Sequence, residues 1–405
     1  AETRLKSIRP PLVVLATANT HHDAALFLAC QRLSIPIAMI EADLTADEKK
    51  ARLALLPTCY LWNEDLSHQA LSQLKLHPQT QLVLFTSGSS GGAKAVQLSN
   101  ANIDANTQAV IQALDFHSVT EQHLFLPLSY SFGLLGQLLP AVELQKKTYL
   151  YADFTAFFRA YASNKLAGMI SGVPSHYEAI LRIMKEPNLS ITHVVSAGAV
   201  LSQDLRQRLK TAFPSATIYN NYGQTEASPR MLSYNSQDPQ FFENFAGRKV
   251  GDWQLRVSDE GELQAKGSQV MLGYIDASKD SATLKDGWLC TGDRAEITDS
   301  GLVKILGRMD DLIKISGERI SVGDLESTYK KLLQHDELAV VTKDDPLRGT
   351  SIILITGQMT MDESTMRSLL EKGCSRNKLP AKIERLDSIP RLPSGKVDKQ
   401  ALRRS

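Results

Sequence analysis

Short apolar runs alternate with helical periodicity through the first sixty residues. Leu12-Val13-Val14-Leu15, Ile35 to Ile40 and Cys59-Tyr60-Leu61 read as buried strands, and Asp23 to Leu33 and Ala46 to Leu55 carry helix spacing between them. That order is βαβαβ, which predicts parallel pairing. Further strands are expected at Leu124-Phe125-Leu126, Gly168-Met169-Ile170, His193-Val194-Val195 and Thr217-Ile218-Tyr219, separated by helical stretches such as Gln203 to Thr211. After Tyr222 the texture becomes short strands broken by Gly and Asp turns: Gln254 to Val257, Gly261-Glu262-Leu263, Val303-Lys304-Ile305. The tail returns to α+β, with strands near Leu338 to Thr342 and Ser351 to Thr356 and helices near Asp324 to Leu333 and Asp362 to Lys372. The predicted class is α/β: a large N-terminal domain with mostly parallel sheets and a β-rich subdomain, then a small α+β C-terminal domain.

One polar stretch changes the picture from fold to chemistry. Thr86-Ser87-Gly88-Ser89-Ser90-Gly91-Gly92-Ala93-Lys94-Ala95 follows the apolar run Leu82-Val83-Leu84-Phe85. Small residues let backbone N–H groups approach an anion, hydroxyls add donors, and Lys94 adds a mobile positive charge, so the loop suits phosphate. The plainer alternative is a polar turn between a strand and a helix. A Walker A loop is excluded at both informative positions: Ala93 stands where its second glycine belongs, and Ala95 replaces the hydroxyl residue that would hold Mg²⁺.

The loop resembles the T-S-G-[ST]-[ST]-G-x-P-K-[GA]-V signature of the adenylate-forming, or AMP-binding, superfamily, which contains acyl- and aryl-CoA ligases, carrier-loading adenylation domains and luciferases. Only the proline differs, replaced by Ala93. Further signatures follow in order. Tyr219-Asn220-Asn221-Tyr222-Gly223-Gln224-Thr225-Glu226 resembles N-x-Y-G-x-T-E. The resemblance implies an aromatic face for adenine at Tyr222, amides at Asn220 and Asn221, and Thr225 and Glu226 at the α-phosphate and Mg²⁺. Ser196-Ala197-Gly198-Ala199 resembles the small-residue loop lining adenine and the acyl carboxylate. Gly261 through Gly267 to Gly273-Tyr274 resembles a segment with a packing role.

Thr291-Gly292-Asp293 resembles T-G-D, implying that Asp293 takes the ribose hydroxyls, and Gly307-Arg308-Met309-Asp310 resembles G-R-x-D, with Arg308 on ribose or phosphate and Asp310 at a hinge. Lys314-Ile315-Ser316-Gly317-Glu318-Arg319-Ile320 resembles K-x-x-G-x-R-I, so Gly317 and Arg319 would line a thiol path after the hinge turns. Asp324 stands where the family usually has Glu. Arg391 to Val397 resembles R-x-x-S-G-K-[IV], whose lysine, Lys396, would reach the reacting carboxylate and α-phosphate. The implied domains are residues 1–309 and a mobile 311–405. The implied reaction forms acyl-AMP from ATP and a small carboxylic acid, then transfers the acyl group to a thiol of CoA or of a phosphopantetheinyl carrier protein, or to an amine.

Leu126-Pro127-Leu128-Ser129-Tyr130-Ser131-Phe132-Gly133 resembles L-P-x-x-H-x-x-G beside the acyl pocket, with Tyr130 in place of the gate histidine of CoA ligases. Ser131 stands where amino-acid-activating domains have an aspartate for the ammonium, which disfavours an α-amino acid. Relative to that family the chain reads as shortened at its front. A catalytically degenerate nucleotide-binding regulator is the remaining alternative, opposed by intact Lys94, Glu226, Asp293, Arg308 and Lys396.

Composition narrows the partners further. Of 405 residues 43% are apolar and 22% charged, as in ordinary globular proteins, and 45 basic against 44 acidic residues give a formal charge of +1. No nucleic-acid partner or anionic membrane is implied, and no apolar run approaches a membrane span. Cys30, Cys59, Cys290 and Cys374 have no metal spacing and read as reduced thiols. The expected location is the cytoplasm.

Overall fold

The structure is a computed structural model that describes residues 1–404 except 63–65, 69–73, 88–92, 281–282, 310–311, 316–317, 346–348, 375–377 and 393–396. Two compact units form. The first comprises Ala1–Arg256, Gln264–Thr291 and Ile297–Lys304; the second comprises Val257–Leu263, Gly292–Glu296 and Ile305–Ser405.

The first unit is built on two seven-stranded sheets. In one, Val13–Thr17 pairs in parallel with Ile37–Glu41 and with Cys59–Leu61, and Ile37–Glu41 pairs in parallel with Thr80–Ser87. These are near-continuous apolar runs, buried as strands covered on both faces must be. Thr80–Ser87 then folds back antiparallel on Ala93–Ser99, with Thr86 opposite Lys94. The phosphate-loop sequence therefore spans a hairpin connection rather than a strand-to-helix turn, and the next helix, Asn100–Ala113, starts only at the far end of the second strand. Residues 88–92, which include Gly88, Ser89, Ser90 and Gly91, lie outside the described residues, and of Ser87 only the strand position is described.

The other sheet orders its strands Arg248–Lys249, Arg230–Asn235, Thr217–Gly223, Ile191–Ser196, Gly168–Gly172, Glu121–Leu124, Lys147–Leu150. Its centre is parallel; Thr217–Gly223 and Arg230–Asn235 are antiparallel. The strand expected at residues 124–126 lies earlier, at Glu121–Leu124, because Phe125 and Leu126 leave the ladder to begin the loop towards Tyr130.

Helix starts follow from local chemistry. Thr20 and Asp23 form a reciprocal capping box on His21–Arg32, as do Thr45 and Glu48 on Ala46–Leu53 and Ser99 and Asn102 on Asn100–Ala113. Each box satisfies end N–H groups that would otherwise lack partners.

In the second unit, Leu338–Asp345 and Gly349–Thr356 pair antiparallel, and Lys382–Arg385 joins in parallel. Helices Val322–Leu333 and Glu363–Gly373 pack Leu325, Tyr329, Met366 and Leu370 against Leu338, Val340, Ile352 and Leu354. The strands predicted in the β-rich stretch are present at Gln254–Val257, Glu262–Lys266 and Val303–Arg308, with an additional long one at Trp288–Ile297.

Candidate active site

Asn19 fixes the loop that carries the predicted acyl-side residues. It adopts a left-handed conformation (φ 59°) after Val13–Thr17. Its Nδ2 donates to the Leu126 carbonyl at 3.0 Å, and its Oδ1 accepts from the Leu128 N–H at 2.7 Å. A side-chain amide can mimic a strand's two backbone groups in this way, so a loop 109 residues away is tied to the end of Val13–Thr17. No motif pointed to Asn19; its left-handed backbone is its only local signal.

At the end of that loop the Tyr130 hydroxyl donates to Glu41 Oε1 at 2.9 Å, at the tip of Ile37–Glu41. The Arg52 guanidinium stands 3.9 Å from the same oxygen and 5.3 Å over the Phe85 ring, one residue before Thr86. Burial, reinforced by the Glu41 charge, pushes the Tyr130 phenol well above its usual range, so it acts as a neutral donor. The helical stretch 131–143 starts immediately after. Gly133 is required there, since a Cβ would lie 2.6 Å from the Pro127 carbonyl oxygen.

Ser131 Oγ and Thr225 Oγ1 are 3.1 Å apart, joining the predicted acyl segment to the predicted nucleotide motif. That motif runs off the end of Thr217–Gly223 into a 3-10 turn, Thr225–Ala227. At Gly223 a Cβ would fall 1.6 Å from the Pro229 carbonyl oxygen, so only glycine allows this turn. Asn220 Nδ2 donates to the carbonyls of Phe245 (3.4 Å) and Ala246 (3.3 Å). Asn221 is 3% exposed with neither amide atom partnered among the described residues, a costly state unless a ligand takes them up. Tyr222 lies between Asn221 and Gly223, half-buried. Of the small-residue loop, Ala197 N–H donates to the Gly172 carbonyl, Gly198 is left-handed at φ 83°, and Ala199 is exposed.

Glu226 and Lys94 meet through a residue whose segment the sequence suggested only for packing. The Tyr274 hydroxyl donates to Glu226 Oε1 at 2.9 Å, and Lys94 Nζ stands 4.8 Å over the centroid of the same ring. Tyr274 sits on Gly273–Tyr274, which pairs antiparallel with Val96 and Gln97 of the Lys94 strand. Burial, then the Glu226 charge, raises its phenol far above the ordinary value, so it stays a donor. Asp280 Oδ1 accepts the Tyr274 N–H at 2.7 Å and fixes the strand. The Glu226 carbonyl also accepts from the Met271 N–H at 2.9 Å. One ring thus sets the spacing between a cation and a carboxylate drawn from positions 94 and 226.

In the second unit, Asp293 Oδ1 lies 3.3 Å from Arg308 Nη1. Gly292, at φ 72°, donates its N–H to Glu262 Oε1 at 2.8 Å, and its carbonyl accepts from Met309 N–H at 2.7 Å. Lys314 and Arg319 occupy facing positions on the hairpin Leu312–Ile315 and Glu318–Ser321. Asp310, Gly317 and Lys396 lie outside the described residues; Arg391 and Val397 on either side of the Lys396 loop form an antiparallel bridge.

Among the described residues no cluster of three or more His, Cys, Asp or Glu side chains could hold a metal by itself, and no helix is long and apolar enough to cross a membrane. Glu226 nevertheless suits Mg²⁺, an ion commonly held by one or two carboxylates together with substrate phosphates. A surface groove between helices Pro174–Ile183 and Gln203–Ala212, lined by Leu181, Asp204 and Arg208, carries none of these residues.

In the first unit the Ser131–Thr225 hydroxyl pair, the unpartnered Asn221 amide and the Lys94–Tyr274–Glu226 stack all fall on or next to the segment from Asn221 to Glu226. The AMP-binding enzyme family model matches residues 59–275, and the chain belongs to that family. The fold agrees: ATP-bound MatB from Rhodopseudomonas palustris superposes with a TM-score of 0.84 over 100% of this chain and 90% of that one, at 19% identity. By sequence the chain is 26% identical over 330 residues to a 3-[(3aS,4S,7aS)-7a-methyl-1,5-dioxo-octahydro-1H-inden-4-yl]propanoyl:CoA ligase of Rhodococcus jostii, covering 79% of this chain and 64% of the relative. It is 27% identical over 350 residues to indoleacetate–CoA ligase of Aromatoleum aromaticum, covering 80% and 67%. The chain thus spans about two-thirds of the length of these relatives.

Proposed function

We propose that this protein is an ATP- and Mg²⁺-dependent carboxylic acid–thiol ligase, with CoA as the acceptor. The observation that carries this reading is the Lys94–Tyr274–Glu226 stack beside the Ser131–Thr225 hydroxyl pair. Attack of a carboxylate on an α-phosphorus demands little covalent help; it needs positioning and stabilisation of spread negative charge. Lys94 would neutralise the β- and γ-phosphates, assisted by donors from Thr86 through Gly91, and Thr225 would donate to the α-phosphate. Glu226 would carry the metal on Oε2, with Oε1 taken by Tyr274. Mg²⁺ held there would supply charge neutralisation on the phosphates.

For the nucleoside, Tyr222 would stack on adenine between Asn221 and the Ala197-Gly198-Ala199 loop, and Asp293, braced by Arg308, would accept from the ribose hydroxyls. Lys396 would bridge the reacting carboxylate and the α-phosphate. Lys314 would contact the nucleotide, and the second half-reaction would follow rotation of residues 311–405 about Asp310, bringing Gly317 and Arg319 to the thiol path. The named relatives being CoA ligases supports CoA over a carrier protein as acceptor.

Pyrophosphate release across a panel of carboxylic acids, with and without CoA, tests the reading. The expected result is acid-dependent pyrophosphate and, with CoA, a thioester. Acyl-AMP that accumulates with CoA but discharges onto a phosphopantetheinyl carrier would move the acceptor to the carrier. ATP binding with no pyrophosphate from any acid would leave a nucleotide-binding regulator.

A further inference from the structure

Among the described residues two arginines are fully buried, and they are treated in opposite ways. Arg206, 1% exposed, spends its guanidinium on backbone carbonyls: Nε donates to Leu201 at 3.0 Å, Nη1 to Glu243 at 2.7 Å and to Phe241, and Nη2 to Phe245 at 2.9 Å. It is a structural cation, each of whose three nitrogens donates to a backbone carbonyl. Arg230, 2% exposed, has only its main chain secured, the N–H donating to Asn106 Oδ1 at 3.1 Å and the carbonyl accepting from Trp253 Nε1 at 2.9 Å. Its Nε and Nη2 are buried without a partner, and no acidic side chain among the described residues pairs with it.

That guanidinium lies beside the segment whose resemblance assigns it to the acyl pocket. It lies 5.3 Å from the Phe132 ring, next to Ser131. Gly136 faces it, since a Cβ there would come within 3.4 Å of Nη2 and 3.2 Å of the Phe132 ring; any larger residue would press on the guanidinium. The helix opens into a π turn at Leu134–Leu138, and Gln137 on that turn is likewise buried with both amide atoms unpartnered. Burial brings the Arg230 guanidinium down to about 10, so it keeps its charge at neutral pH. A charge held in such a place without a counter-ion is strongly destabilising, and a carboxylate meets the guanidinium fork in two parallel hydrogen bonds.

We propose that the acid activated here carries a second carboxylate, and that Arg230 is its counter-ion: the substrate class is dicarboxylic. This rests on the ligase reading above. It also completes the logic of Ser131, which offers no anion to a substrate ammonium, whereas Arg230 offers a cation to a substrate anion.

The test compares aliphatic dicarboxylates from malonate to suberate, and phthalate, with monocarboxylates of matched length, in parent chain, Arg230→Gln and Arg230→Lys. Pyrophosphate release gives kcat/KM, and calorimetric titration of the acids gives binding without turnover. A dicarboxylate should exceed its matched monocarboxylate by roughly 10²-fold, the usual effect of unpairing one buried charge. Arg230→Gln should erase that ratio and favour the ω-monoamide, and Arg230→Lys should restore part of it. A drop that is equal for all acids would mark Arg230 as structural and overturn the proposal. So would a parent chain that prefers monocarboxylates, which needs no variant to fold. If no acid yields pyrophosphate, the ligase reading falls separately, and titration still decides: Arg230-dependent dicarboxylate binding upholds the site, and no binding of any dicarboxylate overturns it.

Discussion

Replacing Tyr274 with phenylalanine removes one oxygen from the centre of the site and leaves the ring. The hydroxyl's 2.9 Å hydrogen bond to Glu226 Oε1 is lost, together with a long 3.5 Å contact to Thr283 Oγ1; the contact of Lys94 with the ring face remains. A hydrogen bond to a charged group is worth about 1.5–3 kcal/mol. Glu226 is only half-buried, so water can replace the phenol and the lower end applies. A cost of about 1.5 kcal/mol is about tenfold in an equilibrium constant. Because Tyr274 positions the carboxylate rather than touching the reacting atoms, the loss should appear as about a tenfold higher Mg²⁺ requirement for pyrophosphate release, with little change in acid KM. Tyr274→Leu should add a rise in ATP KM, since a lysine over an aromatic face is worth about 0.5–2 kcal/mol. The assay is initial-rate pyrophosphate release over a Mg²⁺ titration, with folding checked by thermal melting. Parent-like Mg²⁺ dependence in a folded Tyr274→Phe chain would refute the positioning argument.

Lys396→Ala should slow acyl-AMP formation by roughly 10²–10³, the loss from one transition-state donor, while thiol transfer from supplied acyl-AMP continues; equal loss in both steps would refute the two-conformation scheme. Arg206→Met strands the carbonyls of Leu201, Phe241, Glu243 and Phe245, and should cost about 4 kcal/mol in chemical denaturation, at about 1–3 kcal/mol per unpaired buried group. Burial pushes the His176 imidazole from 6.5 down to about 4, and its Nδ1 accepts the Val173 N–H at 3.3 Å while the ring stacks on Phe154. The unfolded chain takes up this proton near pH 6.5 and the folded chain only near 4, so neutral His176 contributes fully above pH 6.5 and loses about 3 kcal/mol as pH falls through that window. His123 and His193, also lowered by burial, act in the same direction. Denaturation midpoints between pH 7 and 5 should fall less steeply in His176→Phe; an unchanged slope would refute the assignment.

The sequence by itself determined the family, the α/β class and the order of elements. Those depend on local signals: apolar runs at strand length, capping residues such as Thr20 with Asp23, and ordered glycine- and hydroxyl-bearing motifs. It also singled out Lys94, from the donors and charge of its loop, and Thr225 and Glu226, from the resemblance of their motif to the family's. Tertiary structure alone decided what joins them. Tyr274 reads as packing in sequence, since an aromatic beside glycine has no local mark of function; only the pairing of its strand with that of Lys94 brings its hydroxyl to Glu226. Asn19 and Glu41 were invisible for the same reason, their partners Leu126, Leu128 and Tyr130 lying 107, 109 and 89 residues away. The contrast between Arg206 and Arg230 is the sharpest case. Both are single arginines in unremarkable contexts, and whether a buried guanidinium is satisfied depends on which carbonyls and rings the fold brings round it, a property of long-range packing that no run of neighbouring residues encodes.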